Sequence, residues 1–392
     1  MLLIGVDSPI GLTVLRELGA RGLEVVCVGR GRYSLGRASK FCHRFLERPE
    51  GPIADWLEGL VKAYQAIAVM AVSEGDLLQL AALKHAIPGC TIAVPDSAKL
   101  ALVLDKPATL AAARAAGIQV PETWQPVADE DLASSASRIA YPVAIKWADP
   151  TAIVKPLEAA GIAFEKVEYA DDPASLLAIL RRYDAYGAYP LVQTYCPGYG
   201  LGQMFNMAGG RATLRFQHRR LREWPVTGGV SSFCGSVALD KHSDQLAKSE
   251  ELLRSIGWEG PAMVEYRYDP ATGNYWLMEI NGRFWGSIPL AHHAGAHFGW
   301  EAYRTLVARE NAQSTAQLRP RKARFMVPDL KHLVSRLRES QTGVLAKLAL
   351  VAGFFLAFVD PEISYYVWSS GDPGPFVSDM KSLLRKAARL DS

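Results

Sequence analysis

Four residues in the segment 262–287 have side chains that could bind a metal ion and a phosphate together. They are Glu265, Glu279, Asn281 and Arg283. Carboxylate and amide oxygens are the ligands that a hard cation such as Mg²⁺ prefers, and Mn²⁺ is the alternative. A guanidinium binds a phosphate in a forked geometry with parallel hydrogen bonds. These residue types therefore predict a metal and phosphate site.

The spacing of these residues indicates a β-hairpin. Residues 262–268 and 275–281 have the composition of strands, and the turn between them contains Asp-Pro and a glycine. Because side chains alternate faces along a strand, Glu279 and Asn281 share one face of the second strand. Arg283 continues that row if the chain stays extended. The hairpin would therefore present its oxygen ligands and its guanidinium on one side.

A solvated edge hairpin is the alternative interpretation of this alternation. It accounts well for Glu265, but it accounts poorly for Glu279 and Asn281, because the second strand is otherwise mostly apolar. An acidic side chain in an apolar strand is costly to bury unless it is paired or bound to a metal. The metal and phosphate site is therefore the favoured interpretation.

Size and composition are those of a globular protein with two or three domains. The chain has 392 residues, of which 49% are hydrophobic and 21% are charged. Its net charge of +3 is too small for a nucleic-acid-binding protein. The five cysteines are scattered without metal-binding spacing, and the first residues lack the pattern of a signal peptide. We therefore expect a cytoplasmic protein without nucleic-acid partners.

The longest apolar run, 348–359, is the one segment that raises the question of a membrane. It has 12 residues, fewer than the ~20 that a spanning helix needs, so we expect no transmembrane segment. A core helix is the favoured interpretation. Peripheral membrane contact is the alternative, because a basic tail follows with Lys381, Arg385, Lys386 and Arg389.

The first 95 residues alternate strand and helix patterns, which predicts a parallel sheet. This pattern also suits a dinucleotide-binding domain, in which Arg30 would meet the phosphate of NADP. The first turn, from Gly5 to Gly11, lacks the G-x-G-x-x-G pattern, and Gly29-Arg30 replaces the expected acidic residue. A structural or substrate-binding α/β domain is therefore favoured, and an NADP-dependent oxidoreductase is the less favoured alternative.

Other polar residues with potential for chemistry precede and follow the hairpin. Lys106 opens a predicted helix, and Lys146 ends a predicted apolar strand. Three histidines follow the hairpin, of which His293 and His297 have the i, i+4 spacing of a zinc pair but need another ligand. The favoured interpretation is that these histidines pack near a cleft entrance or line a substrate pocket. The remaining candidates are Gln193, Thr194 and Tyr195 in an apolar strand, and Arg219 and Arg222 in a basic strand.

The order of these residues, ending in the E-x-N-x-R pattern of the hairpin, resembles the ATP-grasp superfamily of carboxylate-amine ligases and carboxylases. The segment MEINGRFWGS is similar in particular to carbamoyl-phosphate-synthase-like members. The resemblance implies a fold of α/β and α+β elements, with an N-terminal pre-ATP-grasp parallel-sheet domain at 1–98 and a two-lobed ATP-grasp domain at 99–310. The lid lobe would span about 118–195. Residues 311–392 would be a C-terminal extension of unassigned role.

The resemblance also implies a role for each candidate. Lys106 and Lys146 would contact the phosphates of ATP, and Arg283 would stabilise the transferred phosphoryl group, so that Arg283 and Lys146 are the catalytic candidates. The remaining roles are Mg²⁺ binding by Glu265, Glu279 and Asn281, contact with the adenine edge at Gln193, Thr194 and Tyr195, and binding of a substrate carboxylate by Arg219 and Arg222. For these two arginines, a solvated strand is an equal alternative.

One departure from the family pattern lies after Lys146, where no glycine occurs before Gly161. A glycine-rich loop over the phosphates is therefore not expected there, and Lys155 or a loop at Gly228-Gly229 would replace it. The implied activity is an ATP-dependent, Mg²⁺-dependent ligase that joins a small-molecule carboxylate to an amine. The alternative is a nucleotide-binding pseudoenzyme or regulatory module. Either could act as a homodimer.

Overall fold

The computed structural model describes the chain except residues 149, 227–228, 311–312, 340–341 and 391–392. Two compact units are formed by this chain. The larger unit contains Met1–Leu104, Gly200–Glu265 and Ile280–Ser392, and the smaller unit contains Asp105–Tyr199 and Tyr266–Glu279. Each unit has its own core of buried apolar side chains.

The described residues form sixteen strands in three sheets. The strands are β1 Leu2–Ile4, β2 Val25–Gly29, β3 Cys42–Glu47, β4 Ala68–Ala71, β5 Thr91–Ile92, β6 Thr123–Trp124, β7 Val143–Lys146, β8 Glu168–Ala170, β9 Leu191–Thr194, β10 Tyr199–Ala208, β11 Arg211–Trp224, β12 Val230–Val237, β13 Gly260–Asp269, β14 Asn274–Asn281, β15 Lys322–Arg324 and β16 Ile363–Tyr365.

Fourteen α-helices lie among the described residues. They are α1 Pro9–Gly19, α2 Ile53–Ala63, α3 Glu74–Ala82, α4 Ser97–Leu104, α5 Lys106–Ala115, α6 Leu132–Ala136, α7 Pro150–Ala159, α8 Pro173–Leu180, α9 Ser243–Ser255, α10 Ile288–His293, α11 Phe298–Ala302, α12 Met326–Arg338, α13 Val344–Leu356 and α14 Gly374–Leu390. Two short 3₁₀ turns, Leu35–Ala38 and Arg181–Tyr186, and a π turn at Tyr303–Val307 complete the structure.

The first sheet confirms the predicted parallel arrangement. Its strand order is β3-β2-β1-β4-β5, and every neighbouring pair is parallel. β1 and β2 are buried along their whole length, which is typical of central strands covered on both faces. β3 was not predicted, because its sequence CHRFLE mixes polar and apolar residues and only part of it is buried.

The second sheet has seven strands in the order β14-β13-β10-β11-β12-β15-β16. Its central hairpins are antiparallel, and the predicted hairpin 262–281 forms as β13 and β14. β15 pairs antiparallel with β12, and β16 pairs parallel with β15. The C-terminal residues therefore add two strands to this sheet, a contribution that their sequence pattern did not indicate.

A buried aspartate fastens the C-terminal segment to the first helix within the larger unit. Asp372 is 2% exposed and accepts hydrogen bonds from Arg16 Nε at 2.9 Å, Ser39 Oγ at 2.7 Å and Lys40 N at 2.9 Å. Arg16 Nη2 also donates to the carbonyls of Val367 and Asp372. Because the two charged groups are paired with each other and hydrogen-bonded, their burial is tolerated.

The apolar run 348–359 does not form a core helix, so that prediction was wrong. The run lies largely in α13, where Leu345 is 84%, Leu348 61% and Phe355 63% exposed. Phe354 is the buried residue of this helix, and its ring lies under the Arg324 guanidinium at 4.4 Å. The sequence gives the apolar content of a segment but not a packing partner. No described helix is long and apolar enough to cross a membrane.

The smaller unit contains a four-stranded antiparallel sheet in the order β6-β9-β7-β8. Val143 and Ile145 of β7 point into a core that also contains Trp147, Leu157 and Tyr183. Alternation along the strand then turns Lys146 away from that core. This register is what positions the lysine for chemistry.

Candidate active site

Two lysines lie beside each other in the smaller unit. Lys146 is the last residue of β7, and Lys106 is the first residue of α5. The helix start is fixed by Asp105, whose side chain accepts a hydrogen bond from the Ala108 amide at 2.9 Å. Lys106 therefore lies at the N-terminal end of α5, where the helix dipole favours an anion.

Burial and the neighbouring Lys106 lower the pKa of Lys146 to about 7. Burial is the largest cause, and the neighbouring charge of Lys106 is the second. Glu279 and Cys196 act in the opposite direction but do not offset these effects. Two ammonium groups held together in a partly buried place lack sufficient negative charge, and a polyphosphate would supply it.

The strand β9 uses several of its polar groups within the smaller unit. Gln193 is 2% exposed, and its Nε2 donates to Thr123 Oγ1 at 2.8 Å. The amides of Thr194 and Tyr195 donate to the carbonyls of Glu122 and Pro142, both at 3.0 Å. The predicted adenine contacts of Gln193, Thr194 and Tyr195 therefore cannot use these donors without breaking the sheet.

The hairpin holds the segment that follows β9 through an arginine of the smaller unit. Arg267 donates from Nε to the Cys196 carbonyl at 3.3 Å and from Nη2 to the Gly198 carbonyl. Gly198 has a φ of +90°, and a Cβ there would lie 2.0 Å from the Tyr268 carbonyl oxygen. Only glycine permits this approach of the two backbones.

In the larger unit, the predicted metal ligand Glu265 binds an arginine that the sequence analysis did not select. Arg220 Nη2 lies 2.5 Å from Glu265 Oε2, and both side chains are mostly buried. Arg220 also donates to the Gly229 carbonyl at 3.2 Å. Its aliphatic part passes over Gly200, where a Cβ would lie 2.7 Å from its Cδ. Gly200, on the strand that pairs with the basic strand β11, was the feature of the sequence that could have indicated this position of Arg220.

Arg222 has a different environment because a bulge interrupts β11. Register shifts separate Arg220, opposite Cys234, from Arg222, opposite Phe233. Arg222 lies 2.8 Å from Asp329 Oδ1, and its guanidinium stacks over Phe233 at 4.6 Å. This ion pair competes with the predicted substrate contact of Arg222. Arg219 precedes the bulge and is exposed.

Arg283 lies in the larger unit without a tight ion pair among the contacts that the structure describes for it. Its Nη1 donates to the Phe284 carbonyl at 3.1 Å, and its Nε lies 3.7 Å from a half-exposed Glu74 carboxylate. Asn281 is partly buried two residues earlier at the end of β14. A weak partner leaves the Arg283 guanidinium available for a phosphoryl oxygen.

A buried histidine lies near Arg220 in the same unit. His218 Nδ1 and Ser287 Oγ are 2.9 Å apart, and burial followed by the charge of Arg220 lowers the pKa of His218 to about 3. The imidazole is therefore neutral at physiological pH and can act as a hydrogen-bonding group but not as a charge. The sequence analysis did not select His218.

The donor set of the hairpin fits Mg²⁺ chemically. Glu265, Glu279 and Asn281 offer carboxylate and amide oxygens and no sulfur or imidazole, as Mg²⁺ prefers. In the structure, Arg220 is already a cationic partner of the Glu265 carboxylate. A Mg²⁺ ion bound at Glu265 would have to share this carboxylate with Arg220.

Two segments were predicted to replace a glycine-rich loop over the phosphates, one at Lys155 and one at Gly228-Gly229. They differ in structure. Residues 150–159 after Lys146 form α7, with Lys155 exposed on it. Of the other pair, Gly228 lies outside the described residues, and Gly229 packs against the Trp224 carbonyl, 2.2 Å from where a Cβ would stand. A helix therefore occupies the place where the family pattern has a glycine-rich loop.

The N-terminal turn does not have the features of a dinucleotide site. Asp7 follows β1, and its Oδ1 accepts hydrogen bonds from the Arg30 amide at 2.7 Å and from Ser34 Oγ. A carboxylate at this turn repels a pyrophosphate, and the loop after β2 folds onto it. These contacts disfavour the NADP interpretation.

Comparison with known proteins identifies the fold but no relative by sequence. No protein-family model matches the chain. No curated protein matches it either. Among solved structures, N5-carboxyaminoimidazole synthetase from Staphylococcus aureus is similar with a TM-score of 0.64 at 13% identity, over 87% of this chain and 86% of that chain.

Two further solved structures are similar at this level. The biotin carboxylase domain of the Hydrogenobacter thermophilus 2-oxoglutarate carboxylase, crystallised as a dimer with ADP, magnesium and bicarbonate, has a TM-score of 0.62 at 14% identity over 81% and 72% of the two chains. An L-amino acid ligase from Bacillus licheniformis has a TM-score of 0.58 at 15% identity over 82% and 78%. These are ATP-grasp enzymes, and the predicted ATP-grasp fold is confirmed.

Proposed function

We propose that this protein is an ATP-dependent ligase that activates a small-molecule carboxylate as an acyl phosphate and joins it to an amine. The observation that carries the proposal is the lysine pair of the smaller unit. Lys106 and Lys146 are held together where the pKa of Lys146 falls to about 7. Two adjacent cations repel each other as a purely structural pair, whereas a bound triphosphate would supply the negative charge that they lack.

The residues of the chain would act by positioning and by neutralising charge. Lys106 and Lys146 would bind phosphate oxygens of ATP, and Arg283 would bind the γ-phosphoryl group during its transfer to a carboxylate oxygen. The products of this first step are ADP and an acyl phosphate. The amine then attacks the carbonyl carbon, the C–O bond to phosphate breaks, and the nitrogen loses a proton as the amide forms.

Mg²⁺ would be held by Glu265, Glu279 and Asn281, and when bound it would neutralise negative charge on the phosphates. The carboxylates themselves would fix its place relative to the hairpin. Of the two arginines proposed for the substrate carboxylate, the exposed Arg219 retains that role. Arg222 is the weaker candidate because Asp329 binds it.

The first experiment is a screen for Mg²⁺-dependent ADP release. The purified protein is incubated with ATP, Mg²⁺ and pools of carboxylates and amines. A pair of pools that stimulates ADP release and yields a new amide supports the ligase. Tight ATP binding without ADP release in any pair would instead favour a nucleotide-binding regulatory protein. Thermal stabilisation by NADPH but not by ATP-Mg²⁺ would contradict both.

A second experiment tests the metal ligands. Glu279→Gln keeps the shape of the side chain but removes its charge, so the Mg²⁺ concentration for half-maximal ADP release should rise by about tenfold or more, as expected for loss of a charged ligand. Glu251→Gln is the matched control, because Glu251 is exposed on α9. Unchanged Mg²⁺ dependence in Glu279→Gln would contradict the assignment.

A further inference from the structure

A second group of metal-ligand side chains lies within the larger unit, apart from the residues of the proposed ligase reaction. Glu17 of α1, His292 of α10 and His297 before α11 bring their ligand atoms together, the only such group of three or more found among the described residues. The Glu17 Oε1 lies 3.0 Å from His292 Nδ1 and 3.6 Å from His297 Nδ1. The two Nδ1 atoms lie 3.3 Å apart.

Hydrogen bonds satisfy these contacts poorly. A carboxylate oxygen has no proton, so the 3.0 Å contact to Oε1 needs a proton on His292 Nδ1, and the 3.6 Å separation from His297 Nδ1 is too long for a hydrogen bond. His292 Nδ1 would then have to share this one proton between Glu17 Oε1 and His297 Nδ1 at 3.3 Å. A cation between the three atoms satisfies every contact at once, because all three then act as lone-pair donors.

The distances between the three ligand atoms fit a tetrahedral Zn²⁺ ion. A tetrahedral Zn²⁺ with bonds of about 2.0–2.1 Å to nitrogen and oxygen places its ligand atoms roughly 3.3 Å apart. The observed separations of 3.0, 3.3 and 3.6 Å are centred on that value. Two imidazoles and one carboxylate are also a ligand set that zinc uses when its fourth position stays open.

Hydrogen bonds to its second oxygen orient the Glu17 carboxylate, as is usual for a metal ligand. Glu17 Oε2 accepts hydrogen bonds from the amides of Gly299 at 2.6 Å and Trp300 at 3.2 Å. Gly299 allows α11 to approach α1, since a Cβ there would lie 3.1 Å from the Val14 Cα.

An adjoining cavity gives the site access to solvent. His292 and His297 line a cavity of about 500 Å³, together with Arg21, Arg304, Arg319 and Arg321. The basic lining suits water or a small anion such as a carboxylate or phosphate in the fourth coordination position. His293 also lines the cavity, but its Nε2 donates to the Tyr365 carbonyl at 3.1 Å. The zinc spacing of His293 and His297 in the sequence therefore selected the wrong partner.

We propose that Glu17, His292 and His297 bind a Zn²⁺ ion whose fourth position faces the basic cavity.

The test is metal binding by the full-length protein after removal of metals with a chelator. Zinc affinity and stoichiometry are measured by competition with a chromophoric chelator and by elemental analysis. We expect one Zn²⁺ per chain. His292→Gln and His297→Gln should each weaken binding by more than about 100-fold, since loss of an outer partner alone costs 10- to 100-fold.

His85→Gln is the matched control, because His85 is exposed and lies outside the cluster. It should leave zinc affinity unchanged. Equal zinc binding by the wild type, His292→Gln and His297→Gln would overturn the proposal. Thermal melting of the metal-free variants checks that each one folds, and Glu17→Gln is a third variant that retains the shape of the carboxylate.

Substitution with Co²⁺ tests the geometry by a separate measurement. A tetrahedral site gives intense visible absorption, which should titrate to one Co²⁺ per chain and disappear on addition of Zn²⁺. The weak absorption of an octahedral complex would overturn the tetrahedral assignment. Failure of zinc binding leaves the ligase proposal intact, because ADP release is measured with other residues and other reagents.

Discussion

The candidate cations of the two units have different environments. In the smaller unit, Lys106 and Lys146 lie against each other, and the pKa of Lys146 falls to about 7. In the larger unit, Arg220 lies 2.5 Å from Glu265 and Arg222 lies 2.8 Å from Asp329. One unit thus brings like charges together, and the other pairs its charges.

This difference between adjacent lysines and ion-paired arginines indicates which cations remain available to bind a ligand. A paired arginine is already neutralised, and an incoming anion would have to displace its carboxylate partner. A pair of adjacent lysines gains when an anion arrives, because the anion removes both the repulsion and part of the desolvation penalty. Arg283, with its weak contact to Glu74 at 3.7 Å, resembles the lysines more than its arginine neighbours.

The largest expected effect is that of Arg283→Ala. If Arg283 acts on the transferred phosphoryl group, kcat for ADP release should fall by about 10²–10³-fold while ATP affinity is nearly unchanged. Arg44→Ala is the control, because Arg44 is exposed on β3. Equal losses of ATP binding and turnover would place Arg283 with the binding lysines instead.

The second effect concerns Lys146→Met, which removes the charge but keeps most of the volume. We expect ATP affinity, measured by calorimetry, to fall by about 10- to 100-fold, the value of a charge-assisted hydrogen bond. Lys155→Met on the exposed face of α7 provides the matched control in the same unit. A Lys146→Met protein that binds ATP like the wild type would remove the basis of the ligase proposal.

The third effect is one of stability without loss of activity. Arg222→Met leaves Asp329 with Arg324 as its remaining partner, so the free energy of unfolding should fall by about 1–3 kcal/mol. The constants for ADP release should stay within about twofold of the wild type, as for a surface substitution without a ligand contact. A large loss of kcat/KM at unchanged stability would show that Arg222 binds substrate after all.

The smallest effect is a proton taken up on ATP binding. The free protein has Lys146 with a pKa of about 7, lowered by burial and by Lys106, so this lysine is mostly neutral at pH 8. Phosphate binding raises that pKa, and up to about one proton should enter with ATP at pH 8 and fewer at pH 6. Calorimetry in buffers of different ionisation enthalpy measures the number, and Lys106→Met should reduce it.

Much of the fold followed from local pattern. The parallel sheet and the hairpin of β13 and β14 were predicted because apolar runs, turn residues and the alternation of polar and apolar residues are visible within short stretches of sequence. β3 was missed because its sequence is mixed, and α13 was misplaced because hydropathy does not reveal which neighbour covers a helix. The strands β15 and β16 were missed because their short sequences, KAR and ISY, mix polar and apolar residues and do not form an apolar run.

The candidate site was predictable where spacing along one element decides the outcome. Lys106, Lys146 and the hairpin residues were selected in this way, and their proposed roles stay predictions. The ion pair of Arg220 with Glu265 was missed, because these residues lie on β11 and β13, which are separated in the sheet by β10. Glu17 and His292 are 275 positions apart, and only the fold brings them together.

The short strand β15 protects the chain from self-association. Through Lys322, Ala323 and Arg324 it covers the backbone hydrogen-bonding groups of β12 at Phe233, Cys234 and Gly235. A chain cut before these residues would leave β12 as a bare sheet edge, and such an edge is a template for strands of other molecules. The C-terminal segment therefore also keeps this edge of β12 from pairing with strands of other molecules.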